Sequence, residues 1–218
     1  AGPAVIPMQG IGPAMSRIVF AASASAQTSP ALSSIDRYVR SELAHQRMPG
    51  MSVAVLRGDS LLLARGYGYA NVEHHVPATD STVYEVGSIS KQFTAAAVVM
   101  LSEQGRLSLD DPIVKFLPEG SAAWPRVTIR HLLTHTSGIP QDTMPDYQRD
   151  YTEAELVRSA AAQSLDFEPG DRWSYSSTGY ALLGIIIQRV TGVFYGEFLR
   201  DHVFRPLDMR AARVNSDT

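Results

Sequence analysis

Two stretches of this chain carry the alternation and β-branched content of strands, and that scarcity is what most limits the fold. They are Met51-Ser-Val-Ala-Val-Leu56 and Leu61-Leu-Leu-Ala-Arg-Gly-Tyr-Gly-Tyr69. Arg57-Gly58-Asp59-Ser60 between them supplies turn residues, so the pair predicts a β-hairpin. A lone hairpin is marginal in water, so these strands must join a larger sheet or lie against helices. Just ahead, Ser29-Pro30 offers a cap and a first-turn proline. Leu32, Ile35, Val39 and Leu43 then form an apolar stripe that suits packing on a sheet, and Pro49-Gly50 ends the region.

Beyond the hairpin the pattern is helical. Val86 to Gly105 reads as an Ala-rich helix with Gly105 fitted to a C-terminal cap. Leu107 to Pro112 caps a turn that leads into Ile113, Val114, Phe116 and Leu117, and Thr128 caps Ile129 to Leu133. Asp142 to Asp150 is a polar loop. Thr152 to Ser164 is an amphipathic helix with Thr152 and Glu155 spaced as a capping box. After the turn-rich Phe167 to Gly179, Tyr180 to Val190 is apolar almost all round, which predicts a helix buried on most sides. Thr191-Gly192 stops it, and Phe194 to Phe204 forms a last helix before Arg205-Pro206. No internal repeat is present. These elements predict an α/β protein of the α+β type.

Composition excludes several classes of function. The apolar fraction of 44%, charged fraction of 19% and net charge of -3 are those of an ordinary globular protein, with no basic stripe for nucleic acid. Without cysteine there is no disulfide, thiolate nucleophile or Cys-based zinc site. No apolar run reaches the ~18 residues that span a bilayer. Met15 to Gln27 resembles the end of a secretory signal, with Ala24-Ser-Ala26 before Gln27 as the cleavage site. Residues 1–29 are therefore expected to be a leader or arm, and the protein periplasmic or secreted. Residues 30–218 form the domain proper, divided into 30–105 and 106–218.

The chemical centre is Ser88-Ile-Ser-Lys91. Residues three apart on a helix share a face, so the Ser88 hydroxyl and the Lys91 amine can meet. A serine hydroxyl becomes a useful nucleophile only when a base takes its proton, and a lysine whose pKa is lowered by burial or nearby positive charge can serve as that base. That spacing also occurs in many surface helices, so the pair gains meaning only beside further motifs. His131 and His135 have metal-ligand spacing, but the glutamate of H-E-x-x-H and a third ligand are absent, which favours a structural role. His74-His75, in a loop, receives the same reading. No metal or other cofactor is expected.

Four stretches in order carry a resemblance. They are Tyr84 to Thr94 around Ser88 and Lys91, Gly105 to Pro112, Val127 to Pro140, and Phe167-Glu-Pro-Gly170 through Tyr175 to Tyr180. Together they resemble the class C β-lactamase-like serine hydrolases, the group that also holds DD-peptidases and family VIII carboxylesterases. The resemblance covers roughly residues 31 to 210. It implies a β-lactamase/transpeptidase-like fold with a helical subdomain and an antiparallel sheet. It also implies Ser88 as the acylated nucleophile, Lys91 as its helix partner and Tyr175 as the tyrosine of Y-x-N. A phenol near an ammonium is stabilised as phenolate, so Tyr175 could pass a proton between Ser88 and the leaving group.

The chain departs from that pattern twice. Ser177 stands at the Asn position, where the family's amide contacts the lysine and the substrate's amide carbonyl. A lone hydroxyl there tilts the expected substrate binding toward esters rather than β-lactams. Secondly, 43 residues follow Tyr175, too few to hold the family's downstream K-T-G or H-x-G strand. Val190-Thr-Gly192 ends a buried helix, and His135-Thr-Ser-Gly138 precedes the tyrosine. The C-terminal strands are thus expected to be missing. With them goes one of two oxyanion N–H donors, a loss that typically costs ~10²–10³ in rate. The hairpin would keep an unpaired edge, open to a homodimer or to a complementing chain that supplies the strands.

The expected function is metal-independent acyl-serine hydrolysis of small esters or β-lactams. The alternatives are a DD-peptidase acting on D-alanyl peptides, or a penicillin-binding fragment that does not turn over. No G-x-S-x-G elbow is present, which disfavours the α/β-hydrolase route.

Overall fold

A computed structural model describes residues 30–120, 122–143 and 151–215. The Ser29 cap, the leader and most of the 142–150 loop lie outside the described residues. The chain forms two compact units, one ending at Tyr84 and the other beginning at Glu85. The break falls just before the stretch that carries Ser88 and Lys91, within the 30–105 part of the sequence reading.

In the first unit, helix α1 (Pro30–Gln46) precedes strands β1 (Gly50–Arg57) and β2 (Ser60–Asn71). The strands pair antiparallel from Gly50 opposite Gly68 to Arg57 opposite Ser60, with an irregularity at Val55/Leu56. The reversal is the two-residue Gly58-Asp59, and Gly58 at φ +55° takes the left-handed conformation such a turn needs. Helix α1 lies on β2 as its apolar stripe suggests, with Val39, Leu63 and Tyr67 buried. Asp36 on α1 ties the two together through Arg65, 2.7 Å away.

A third strand, β3 (Val76–Pro77), pairs with the far end of β2, so the sheet order is β1-β2-β3. The expectation of two strands is corrected here. Two residues are too few to show alternation, and Pro77 cannot donate to a ladder. Strand β1 lies at one edge of this sheet, and Leu56, Leu61, Leu62 and Tyr69 are exposed on the hairpin.

The second unit is helical. Helix α2 (Lys91–Glu103) follows a tight 3-10 turn at Gly87–Ser90. Then come α3 (Ile129–Leu133), α4 (Glu153–Ala161), α5 (Ser177–Thr191) and α6 (Tyr195–Leu199), the last running into a wider π-type turn at Arg200–Phe204. Helix α5 is the hub: α2, α3, α4 and α6 all pack on it, and Leu182, Leu183, Ile185, Ile186 and Ile187 are buried. Burial on most sides is what its sequence predicts.

Its start differs. The helix begins at Ser177 rather than Tyr180, because the Ser176 hydroxyl accepts the Gly179 N–H at 3.0 Å and caps it. The expected caps at Thr128 and Thr152 are present, and Glu155 completes the second as a capping box. Beyond α2, Gly105 at φ +69° lets the Arg106 N–H reach the Leu101 carbonyl, 3.0 Å away, which closes the helix end. Among the described residues no single helix is long and apolar enough to cross a membrane.

Candidate active site

The structure brings the proposed nucleophile, its lysine and the tyrosine together. The Lys91 ammonium donates to Ser88 Oγ at 3.2 Å, and Ser88 Oγ shares a 2.6 Å hydrogen bond with Tyr175 Oη. Ser88 does not lie on α2 as its spacing predicts; it sits in the 3-10 turn just before it. Gly87 at φ +51° and the Ser90 hydroxyl, which donates to the Gly87 carbonyl at 2.7 Å, hold that turn tight. In a 3-10 turn, residues three apart are eclipsed, so the contact with Lys91 is closer than an α-helix would make it. Ser88 is exposed, whereas Lys91 and Tyr175 are half-buried.

Tyr175 stands immediately before Ser176, the cap of α5. Its pKa is lowered to about 8, first by the Lys91 ammonium, then by hydrogen bonds from Ser88 and, more weakly, Ser177. Ser177 is thus a neighbour of the phenol at the first position of α5. A pocket of about 380 Å³ opens beside Lys91 and Ser177, lined further by Tyr180, Ala181, Ile185 and Phe194.

The two histidines do different things. His131 lies on α3, and its Nδ1 accepts the Thr128 N–H at 3.3 Å as the return half of a capping box. His135 is not on that helix. Helix α3 stops at Leu133, and His135 takes a left-handed conformation at φ +58°. There its Nδ1 accepts the Ser176 N–H at 3.1 Å, and its ring lies 4.7 Å from that of Tyr175 and 5.1 Å from that of Tyr180. Burial and the Lys91 charge both lower its pKa and favour the neutral ring. Sequence spacing misses this role because the contact spans 41 residues. Among the described residues no group of three or more His, Asp or Glu is placed to hold a metal.

These features bring a serine, a lysine and a tyrosine from two of the resembling stretches into mutual contact. The Beta-lactamase family model matches residues 35–218, and the chain belongs to that family. Protein flp of Staphylococcus aureus (strain MW2) is 33% identical over 183 residues, which are 81% of this chain and 37% of that protein. Among solved structures, the octameric penicillin-binding protein homologue from Pyrococcus abyssi aligns with a TM-score of 0.69 at 36% identity, over 82% of this chain and 43% of its own. EstCE1, a hydrolase with promiscuous acyltransferase activity, aligns with a TM-score of 0.71 at 25% identity, over 80% of this chain and 50% of its own. The fold is β-lactamase/transpeptidase-like, with helices and a small antiparallel sheet. This chain spans half or less of the length of each of these proteins.

Proposed function

We propose that this chain carries the acyl-serine site of a hydrolase acting on small carboxylic esters. The observation that carries the proposal is the Ser88 hydroxyl bonded at once to Lys91 and Tyr175. Tyr175, as phenolate, takes the Ser88 proton while Ser88 Oγ bonds to the carbonyl carbon. The phenol then gives that proton to the departing alkoxide, and water repeats the sequence to release the acid. Lys91, the largest cause of the lowered Tyr175 pKa, favours the phenolate form. Esters are favoured over β-lactams because Ser177 offers one hydroxyl where the family has an amide.

The exposed apolar residues and open β1 edge of the hairpin support association through that face, with a second copy or a complementing chain. The octameric state of the Pyrococcus abyssi relative is in keeping with assembly. The A-x-A segment supports export to the periplasm or beyond.

The test is steady-state hydrolysis of a p-nitrophenyl ester and of a chromogenic cephalosporin by the purified chain and by Ser88→Ala. Ester turnover lost in Ser88→Ala is expected. Cephalosporin turnover as fast as ester turnover would defeat the substrate assignment. A stable penicilloyl adduct on Ser88 with no turnover of either would favour a penicillin-binding module.

A further inference from the structure

His135 grips the backbone on both sides of Tyr175. Its carbonyl accepts the Ser174 N–H at 2.9 Å, and its ring Nδ1 accepts the Ser176 N–H at 3.1 Å. One residue thus holds the 173–174 and 175–176 peptide groups, one before and one directly after the phenol-bearing residue. Its ring also lies tilted against the Tyr175 ring at 4.7 Å, while Tyr180 at 5.1 Å and Trp173 at 6.0 Å enclose it further. Such a clamp holds a side chain in place more firmly than one hydrogen bond, because it removes both backbone and ring freedom.

The clamp itself is anchored. The His135 N–H donates to the Leu132 carbonyl at the end of α3, and the left-handed backbone at φ +58° turns the ring back toward Tyr175. His, Asn and Asp tolerate that conformation better than other side chains with a Cβ. Five residues along from His135, the Pro140 carbonyl accepts the Ser176 hydroxyl at 3.1 Å, so the loop that follows His135 also holds the start of α5.

We propose that His135 is the positioning residue for Tyr175, acting as a neutral imidazole that holds the phenol against Ser88. The inference rests on the acyl-serine reading for its consequence in catalysis, but not for its geometry. To accept the Ser176 N–H, Nδ1 must be unprotonated, which leaves the ring proton on Nε2. The ionisable groups around the ring are Lys91 from α2, Tyr175 itself and Tyr180 from α5. Burial and the Lys91 charge both favour the neutral ring. Protonation in acid removes the acceptor and adds a second cation to the site. The Tyr175 clamp therefore opens as pH falls below the ordinary imidazole range.

The experiment compares the chain with His135→Asn and His135→Ala. Asparagine keeps an acceptor near the Nδ1 position and tolerates the left-handed backbone, but does not titrate. Alanine keeps neither acceptor nor ring. The ionisation of Tyr175 is read from tyrosinate absorbance, by difference from Tyr175→Phe. Acylation of Ser88 is read as the rate of labelling by a fluorophosphonate between pH 5 and pH 8.

Tyr175 is expected to ionise near pH 8 in the parent protein. It should stay near there in His135→Asn and move toward the ordinary value of ~10 in His135→Ala. The logarithm of the labelling rate should fall with a slope of about 1 as Tyr175 protonates and steepen to about 2 where His135 protonates. In His135→Asn the slope should remain about 1. The proposal is overturned if folded His135→Ala, checked by circular dichroism, titrates like the parent, or if His135→Asn steepens as the parent does. If His135→Ala does not fold, the His135→Asn comparison decides alone. Absence of labelling at every pH would sink the acyl-serine reading, while the tyrosinate titration would still decide the role of His135.

Discussion

The Lys91→Gln substitution tests whether Lys91 works by keeping Tyr175 ionised. With the phenol at about 8, roughly 9% of it is phenolate at pH 7, against roughly 0.1% for an ordinary tyrosine. Lys91 is the largest cause of that lowering, ahead of Ser88 and Ser177. Glutamine keeps a donor of similar reach but no charge, so reactive phenolate at pH 7 should fall by ~10-fold at least and ~90-fold at most. The assay is the pseudo-first-order rate of fluorophosphonate labelling of Ser88, followed by intact mass from pH 6.5 to 9.5. In the parent protein the rate should rise about tenfold from pH 7 to pH 9 and level off. In Lys91→Gln it should start lower and still be rising at the alkaline end. A parent rate that is flat across this range, or a variant with the same midpoint, would refute the assignment of Tyr175 as the base. The sign for stability follows from the same shift. A phenol that ionises more readily in the folded protein stabilises it only in alkali, fully above ~10, and the effect is lost as pH falls through about 8.

Two predictions concern the scaffold. Ile186 is fully buried on α5, so Ile186→Ala should lower unfolding stability by about 2–5 kcal/mol, seen as a shifted urea midpoint at unchanged slope. On the same helix Arg189 pairs with both Glu119 oxygens at 2.9 and 2.8 Å and donates to the Phe116 carbonyl at 2.9 Å. Its guanidinium lowers the Glu119 pKa to about 2 from an ordinary 4.5, so that stabilisation is complete above pH 4.5 and is lost as pH falls toward 2. Both side chains are about a quarter exposed (25% and 28%), and solvent screens part of the interaction. Arg189→Leu should cost about 1–2 kcal/mol at pH 7, with the gap to the parent closing between pH 4.5 and pH 2. A gap of constant size across that range would mean that Glu119 is not the partner that matters.

What the sequence by itself determined is the part that rests on neighbours along the chain. The Gly58-Asp59 hairpin, the Thr128 and Thr152 caps, the stop at Gly192 and the all-round apolar α5 each depend on residues within a few positions, so their signals survive in one dimension. Ser88 and Lys91 were legible as a pair for the same reason. Tyr175 entered through the resemblance, because no local rule links it to a serine 87 residues away. Tertiary structure decided the rest. Strand β3 exists only because β2 is there to pair with it, and Ser88 leaves the helix because Gly87 and Ser90 tighten its turn. The spacing of His131 and His135 matches that of metal ligands only along one helix, and the sequence already favours a structural role. The end of α3 at Leu133 and the left-handed turn at His135 carry the second ring off that helix and onto the Ser176 N–H and the Tyr175 ring. There a long-range hydrogen bond, which spacing cannot encode, gives it a partner.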